Sequence, residues 1–276
     1  MQVRHRIIRN FLMSQLVDIF GIENPVAIVT GSGAKRVGQS VARHLADLGY
    51  RIAVHANRSM DQAEALAAEL MDRGIEAAAF QADLSDEEAV QDMFDKIHWY
   101  FGRMDVLVNT AAIWKPKRLE DVTAADVREH FETNALGTFL CSQWAGKRMV
   151  EQKNGGAIIN FGDWASCRPY LNFAAYFPSK GAVEAMTRDF AVELGRRNPK
   201  VRVNAVLPGP VLLPDENDAT YRKQMLNATL TKRVGEPEYV AQAVAFLAVN
   251  PYITGVLLPV DGGRSIYSAG EQGASR

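Results

Sequence analysis

The chain predicts an α/β fold in which one parallel sheet carries helices on both faces. Three observations predict it. Short β-branched runs alternate with longer amphipathic stretches from Pro25 onward, a glycine-rich turn follows the first run, and no proline- or serine-rich linker breaks the alternation. Parallel neighbours need crossover connections, and a helix is the usual crossover.

Before the alternation lie residues 1–24. Ile7, Ile8, Phe11, Leu12, Leu16, Ile19 and Phe20 recur there at helical spacing, which predicts an accessory amphipathic helix packed on its own domain or on a second subunit, or else an extension disordered in solution. The basic start and apolar middle copy a secretory signal poorly, because Gln15 and Asp18 interrupt the apolar stretch and no small-residue cleavage site precedes Pro25. Strands are then expected at 26–30, 51–55, 77–81, 105–109, 157–161, 201–207 and 256–260, and the first helices at 38–48, 61–73 and 86–101. This gives about seven strands in one domain of residues 25–268, with a tail of residues 269–276.

Composition narrows the function classes. With 47% hydrophobic and 23% charged residues, the chain falls outside the disordered, collagen-like and small disulfide-stapled classes. A balance of 31 Lys+Arg against 32 Asp+Glu leaves a formal net charge of -1, so neither a nucleic-acid nor a membrane partner is expected. Cys141 and Cys167 have no C-x-x-C spacing, which predicts no metal site, no disulfide framework and a reducing cytoplasmic location. No apolar run approaches the ~20 residues of a membrane-spanning helix, so a soluble protein acting on a small molecule is expected.

In doubly wound sheets ligands bind beyond the carboxyl ends of the strands. Four such segments are informative. TGSGAKRVG, containing Gly31, Arg36, Val37 and Gly38, joins a strand to a helix, so its glycines can bring the backbone against a pyrophosphate; a ligand-free turn is the alternative. The pattern is that of a Rossmann-type dinucleotide site. VHANRS, with His55, Asn57, Arg58 and Ser59, offers a guanidinium and a hydroxyl but no acid to a ribose, which favours NADPH over NADH unless Arg58 is a solvated surface charge. Asp83, followed by Leu84, is placed either to bond an adenine amino group or to cap the helix starting near Ser85. Asn109, Ala111 and Ala112 in VNTAA are small enough to let a cofactor lie against the backbone.

The densest chemistry is at Tyr176-Phe-Pro-Ser-Lys180. Four residues apart on a helix, Tyr176 and Lys180 share a face, and an ammonium there would lower the phenol pKa toward a range useful for proton transfer. Taken with the glycine-rich turn, NTAA, Asn134 in NALGTF, NAVLPG and ITGVLLPVDGG, the chain resembles the short-chain dehydrogenases/reductases over residues 26–264. The resemblance implies that Tyr176 is the general acid, that Lys180 lowers its pKa and binds the nicotinamide ribose, and that Asn134 anchors a water of the proton relay. It also implies that Pro208, Gly209 and Val211 border the cofactor, and it suggests a homotetramer.

One position departs from the family. A serine usually stands thirteen residues before the tyrosine, and here it is Asp163. A carboxylate repels a developing oxyanion but accepts from the N–H groups of a nitrogen heterocycle or shares a proton with Tyr176. Arg36 in the turn, HANRS, and Trp114 where an aromatic would cover a bound ring extend the resemblance to pteridine reductases and short-chain dihydromonapterin/dihydrofolate reductases. Trp114 has a core aromatic as its other reading. Against that pattern the turn is one residue longer between Gly31 and Arg36, and Ala112 replaces a serine. The expected reaction is NADPH-dependent reduction of a pteridine C=N bond, with Asp163, Trp114, Arg36 and Tyr176 facing the substrate. A reductase of ketones or 3-oxoacyl thioesters and a non-catalytic NADPH sensor are the alternatives. The connection 209–235, with Tyr221, Met225 and Leu226, is expected to act as a lid.

Overall fold

A computed structural model describes residues 14–211 and 219–267. Its seven strands are β1 Val26–Thr30, β2 Arg51–Ala56, β3 Ala77–Gln81, β4 Val106–Asn109, β5 Gly156–Phe161, β6 Val201–Pro208 and β7 Leu257–Val260. They form one sheet in the order β3-β2-β1-β4-β5-β6-β7, with every neighbouring pair parallel. The strand order reverses between β1 and β4, which opens the ligand crevice expected of a doubly wound sheet at their carboxyl ends.

Alternation along the strands explains the layers. In β1, Ala27 and Val29 face one core together with α2 Val37–Asp47, α3 Met60–Asp72 and α9 Pro237–Val249. Val26 and Ile28 face the opposite core, covered by α4 Glu87–Phe101, α6 Gly137–Glu151 and α7 Tyr176–Arg197. Because both faces are buried, the strands read as unbroken apolar runs such as VAIVT. Each fully buried Leu, Ile, Val or Phe contributes roughly 1.5–3 kcal/mol of transfer free energy.

Local signals set the helix ends. Asp86 caps α4 by accepting from the Glu88 and Ala89 amides, and Gly102 ends it in the left-handed conformation. Thr123 and Asp126 form a reciprocal capping box on α5 Ala124–His130. From α5 the chain runs through a π-helical segment, Phe131–Leu136, straight into α6.

The helical expectation for the N-terminal segment can be followed over residues 14–20, which form α1; the first 13 residues lie outside the described ones. Leu16 and Phe20 are buried in the first core, and Phe20 meets the Tyr50 ring edge-on at 6.0 Å. Arg103 donates to the Phe20 carbonyl at 2.8 Å while pairing with buried Asp105, which also accepts from the Val26 amide. A cation at the helix C-terminus is favourable there. This part of the segment packs on its own domain. The expected tail of residues 269–276 also lies outside the described residues.

Candidate active site

The glycine-rich turn leaves β1 and enters α2. Gly31 has φ +67, and a Cβ on it would lie 2.8 Å from the Ala111 Cα, so only glycine allows the turn to sit against the β4 loop. A Cβ at Gly38 would approach the Thr110 hydroxyl to 2.3 Å. Val37 opens α2, and Arg36, with extended backbone, stands exposed just before it.

His55 has a different role from the one expected. Its Nδ1 accepts from the Gly31 amide at 2.9 Å and its Nε2 reaches the Ala82 carbonyl at 3.1 Å. Both ring nitrogens are thus spent on backbone, and His55 clamps the turn to β2 and to the end of β3 rather than offering itself to a ligand. Burial holds its pKa down at about 4, so the ring is neutral, with its proton assigned to Nε2 by this pattern.

Asn57, Arg58 and Ser59 link β2 to α3, and Asn57 and Arg58 are exposed. Among the described residues Arg58 makes no side-chain hydrogen bond or ion pair, although a helix N-terminus disfavours a cation. Asp83 lies near enough for Arg58 and Asn57 to stabilise its charge, after the larger effect of Ser85, which donates through both its amide and its hydroxyl. The helix-cap reading of Asp83 is corrected: Asp86 caps α4, and Asp83 stands exposed at the end of β3. Leu84 is buried beside Gly137.

Asn109 is buried at the end of β4. Its amide donates to Asn160 at 2.9 Å and to Ser142 at 3.1 Å, and Asn160 donates on to Thr187, so the side chain serves an internal polar ladder. Ala111 and Ala112 are half-buried at the open end of β4. Pro208, Gly209 and Val211 are half-buried beyond β6, where a Cβ on Gly209 would meet the Asp261 Cα at 2.8 Å.

Tyr176, Lys180, Asp163 and Asn134 are brought together by α7, the loop after β5 and the π-helical segment. Tyr176 donates to Asp163 Oδ2 at 2.8 Å, while Asp163 Oδ1 accepts from the Ala165 amide at 2.8 Å. Lys180 is buried, with Nζ donating to the Phe161 carbonyl at 2.8 Å and standing 5.9 Å from the centre of the Tyr176 ring. Asn134 accepts from the Ile113 amide at 2.8 Å and donates to the Ile113 carbonyl and to Ser179, each at 3.0 Å. Extra turn width in a π-helical segment is a recurrent way to aim such a side chain.

The electrostatics correct one expectation. Tyr176 is not drawn toward neutrality: burial and then the neighbouring Asp163 push its pKa well up. Burial likewise raises Asp163, and it lowers Lys180 to about 8 against the opposing pull of Asp163 and Glu184. The phenol thus keeps its proton and donates it in a hydrogen bond to the Asp163 carboxyl.

Trp114 is 53% exposed, with one face stacked on Phe173 at 4.8 Å and 11°. Tyr170 and Tyr176 pack edge-on against the same Phe173 ring. This aromatic ledge was not foreseen beyond Trp114, since the spacing of Tyr170 and Phe173 in a loop gives no periodic signal. In the expected lid, α8 Ala219–Asn227 carries buried Met225 and half-buried Leu226, and Met225 accepts from Arg264 through its sulfur. The side chain of Tyr221 and residues 212–218 lie outside what is described. Among the described residues no cluster of potential metal ligands occurs, and no helix is long and apolar enough to cross a membrane.

Comparison with known proteins gives this arrangement its context. A family model described as enoyl-(acyl carrier protein) reductase matches residues 33–265. The 3-oxoacyl-[acyl-carrier-protein] reductase FabG of Staphylococcus epidermidis is 36% identical over 244 residues, covering 87% of this chain and 98% of its own length. The 3-oxoacyl-[acyl-carrier-protein] reductase of Homo sapiens is 36% identical over 231 residues, covering 84% and 94% respectively. A gluconate 5-dehydrogenase from Burkholderia cenocepacia, solved with NADP and tartrate, is similar with a TM-score of 0.82 at 26% identity, over 91% of this chain and 99% of that one. These relatives carry the names of ketone chemistry and not of pteridine reduction, so the finer resemblance drawn from single positions is not matched by them. The fold, the sheet order and the similarity along most of its length make this chain an oxidoreductase of the short-chain dehydrogenase/reductase family.

Proposed function

We propose that the protein is an NADPH-dependent reductase of a C=N bond in a planar nitrogen heterocycle, with reduced pteridines of the dihydropterin or dihydrofolate type as substrates. One observation carries the choice: Asp163 stands within a hydrogen bond of the Tyr176 hydroxyl. A carboxylate at that point disfavours an oxyanion and favours ring N–H donors.

The residues fit the cofactor. Gly31 lets backbone approach Ala111 where any other side chain would collide, and the α2 N-terminus behind it favours a pyrophosphate. Arg58, just before α3, suits a 2′-phosphate, and the solved gluconate 5-dehydrogenase relative holds NADP. When bound, the cofactor supplies the hydride. Tyr176 gives a proton to the ring nitrogen, so that the C=N bond becomes CH–NH. Asp163 orients the ring and, when protonated, replaces the proton on Tyr176. Lys180 fixes the ribose and the electrostatics from below, Asn134 holds the Ile113 backbone in place, and Trp114 covers the ring from the ledge. Exposed apolar side chains on α6 and α7, among them Phe139 and Val192, are available to a subunit interface of the expected homotetramer.

A second reading is favoured by the names of the relatives: reduction of the C=O bond of a 3-oxoacyl thioester. Asp163→Ser separates the two. On the heterocycle reading it lowers kcat/KM for dihydropterin by about tenfold or more, the size expected when a charged hydrogen bond is lost. A rise in activity toward 3-oxoacyl thioesters with no loss toward dihydropterin would favour the second.

A further inference from the structure

Glu184 borders the Tyr176–Lys180 pair. Glu184 lies one helical turn after Lys180 on α7, on the same face. It is wedged against the catalytic loop: a Cβ on Gly162 would meet its Cγ at 3.3 Å and its Oε1 at 3.4 Å. Oε1 is buried with no hydrogen-bond partner among the described residues. A buried carboxylate oxygen without a donor is costly unless a nearby positive charge offsets it.

The charges around it are few. Asp163 comes from the loop after β5, Lys180 and Arg188 from α7 itself, and the Ser166 hydroxyl lies beside it without closing a hydrogen bond at normal distance. Leu207, from β6, is apolar and fills the other side of Gly162. Lys180 is buried, and Phe161 gives it only a neutral carbonyl.

We propose that Glu184 is a positioning residue whose half-buried carboxylate, one helical turn from Lys180 and set against Gly162 with its buried oxygen lacking a donor, keeps the Lys180 ammonium charged. Burial draws the Lys180 proton off at about pH 8, and Asp163 and Glu184 both oppose that loss. Asp163 is the stronger of the two and is also hydrogen-bonded to Tyr176, while Glu184 adds a second negative charge from the same helix as the lysine. The role rests on Tyr176 and Lys180 being the reacting pair, and it is the same whether the bond reduced is C=N or C=O.

The test needs no substrate. In full-length protein labelled with 13C-lysine, the Lys180 Cε resonance, assigned with K180R, is followed against pH in wild type, E184Q, E184L, E184D and R188A. Removing a negative charge lowers a lysine pKa, so both neutral variants should shift the Lys180 midpoint down by about one unit or more. E184D should keep most of the wild-type value, and R188A should not lower it. An unchanged midpoint in either folded neutral variant overturns the proposal. With whichever of dihydropterin or a 3-oxoacyl thioester is turned over, E184Q should move the basic limb of the rate profile to lower pH. A uniform loss of rate at every pH would mark Glu184 as structural only.

Discussion

At the residue scale the account turns on a proton. Tyr176 holds a hydroxyl whose pKa is pushed up, hydrogen-bonded to a carboxyl that burial also raises. Tyr176→Phe should cut turnover by roughly 10²–10⁴-fold, the usual worth of a general acid, while fluorescence titration shows NADPH binding nearly unchanged. Asp163 also has a stability signature. Its folded-state pKa lies above the unfolded one, so the charged form is penalised in the native state, and the penalty is felt once pH rises past both values. Asp163→Asn should therefore raise Tm at neutral pH and give no gain in acid; thermal melts at both pH values decide. The chemistry was legible in the sequence at Tyr176, Lys180 and Asp163 because all three departures or matches lie in one motif-rich stretch. Glu184 was not, because an acid four residues past a lysine reads as an ordinary helix pair until burial is known.

At the element scale, the glycine-rich turn is held by three strands at once. Gly31 abuts Ala111 beyond β4, and His55 ties the turn to β2 and β3. Because the His55 pKa is depressed to about 4, its stabilising contribution is present above the unfolded value and is lost as pH falls from about 6.5 toward 4. A change of this size is worth up to about 3 kcal/mol. Denaturant titrations should show wild type losing stability over that interval and His55→Ala, though less stable throughout, losing less. Gly31→Ala, which needs a positive φ and a space already taken, should weaken NADPH binding by more than about tenfold.

The strands were readable to within a residue or so because buried parallel strands write themselves as apolar runs bounded by polar turns. Side-chain destinations were less so. His55 and Asn109 sit at strand ends where ligand contact is common, but each is turned to bond the protein itself. Asp83 and Asp86 both look like caps in QADLSD, and only backbone geometry distinguishes the residue that accepts from the α4 amides. The π-helical turn at Asn134 leaves no periodic trace in a six-residue segment.

At the scale of the whole molecule, α1 closes one end of the sheet through Leu16, Phe20 and the Arg103–Asp105 pair. Phe20→Ala should cost about 3–5 kcal/mol of unfolding free energy, measured by denaturant titration, since it removes a buried aromatic from a closed core. The chain shares its family with 3-oxoacyl-[acyl-carrier-protein] reductases, and the proposed heterocycle chemistry rests on the Asp163 carboxyl hydrogen-bonded to Tyr176. The most direct test compares kcat/KM for NADPH oxidation by the wild-type enzyme with dihydropterin and with a 3-oxoacyl thioester. Dihydropterin should be preferred by at least about tenfold, a difference of about 1.4 kcal/mol in transition-state binding. Efficient turnover of the thioester with none of dihydropterin would contradict it.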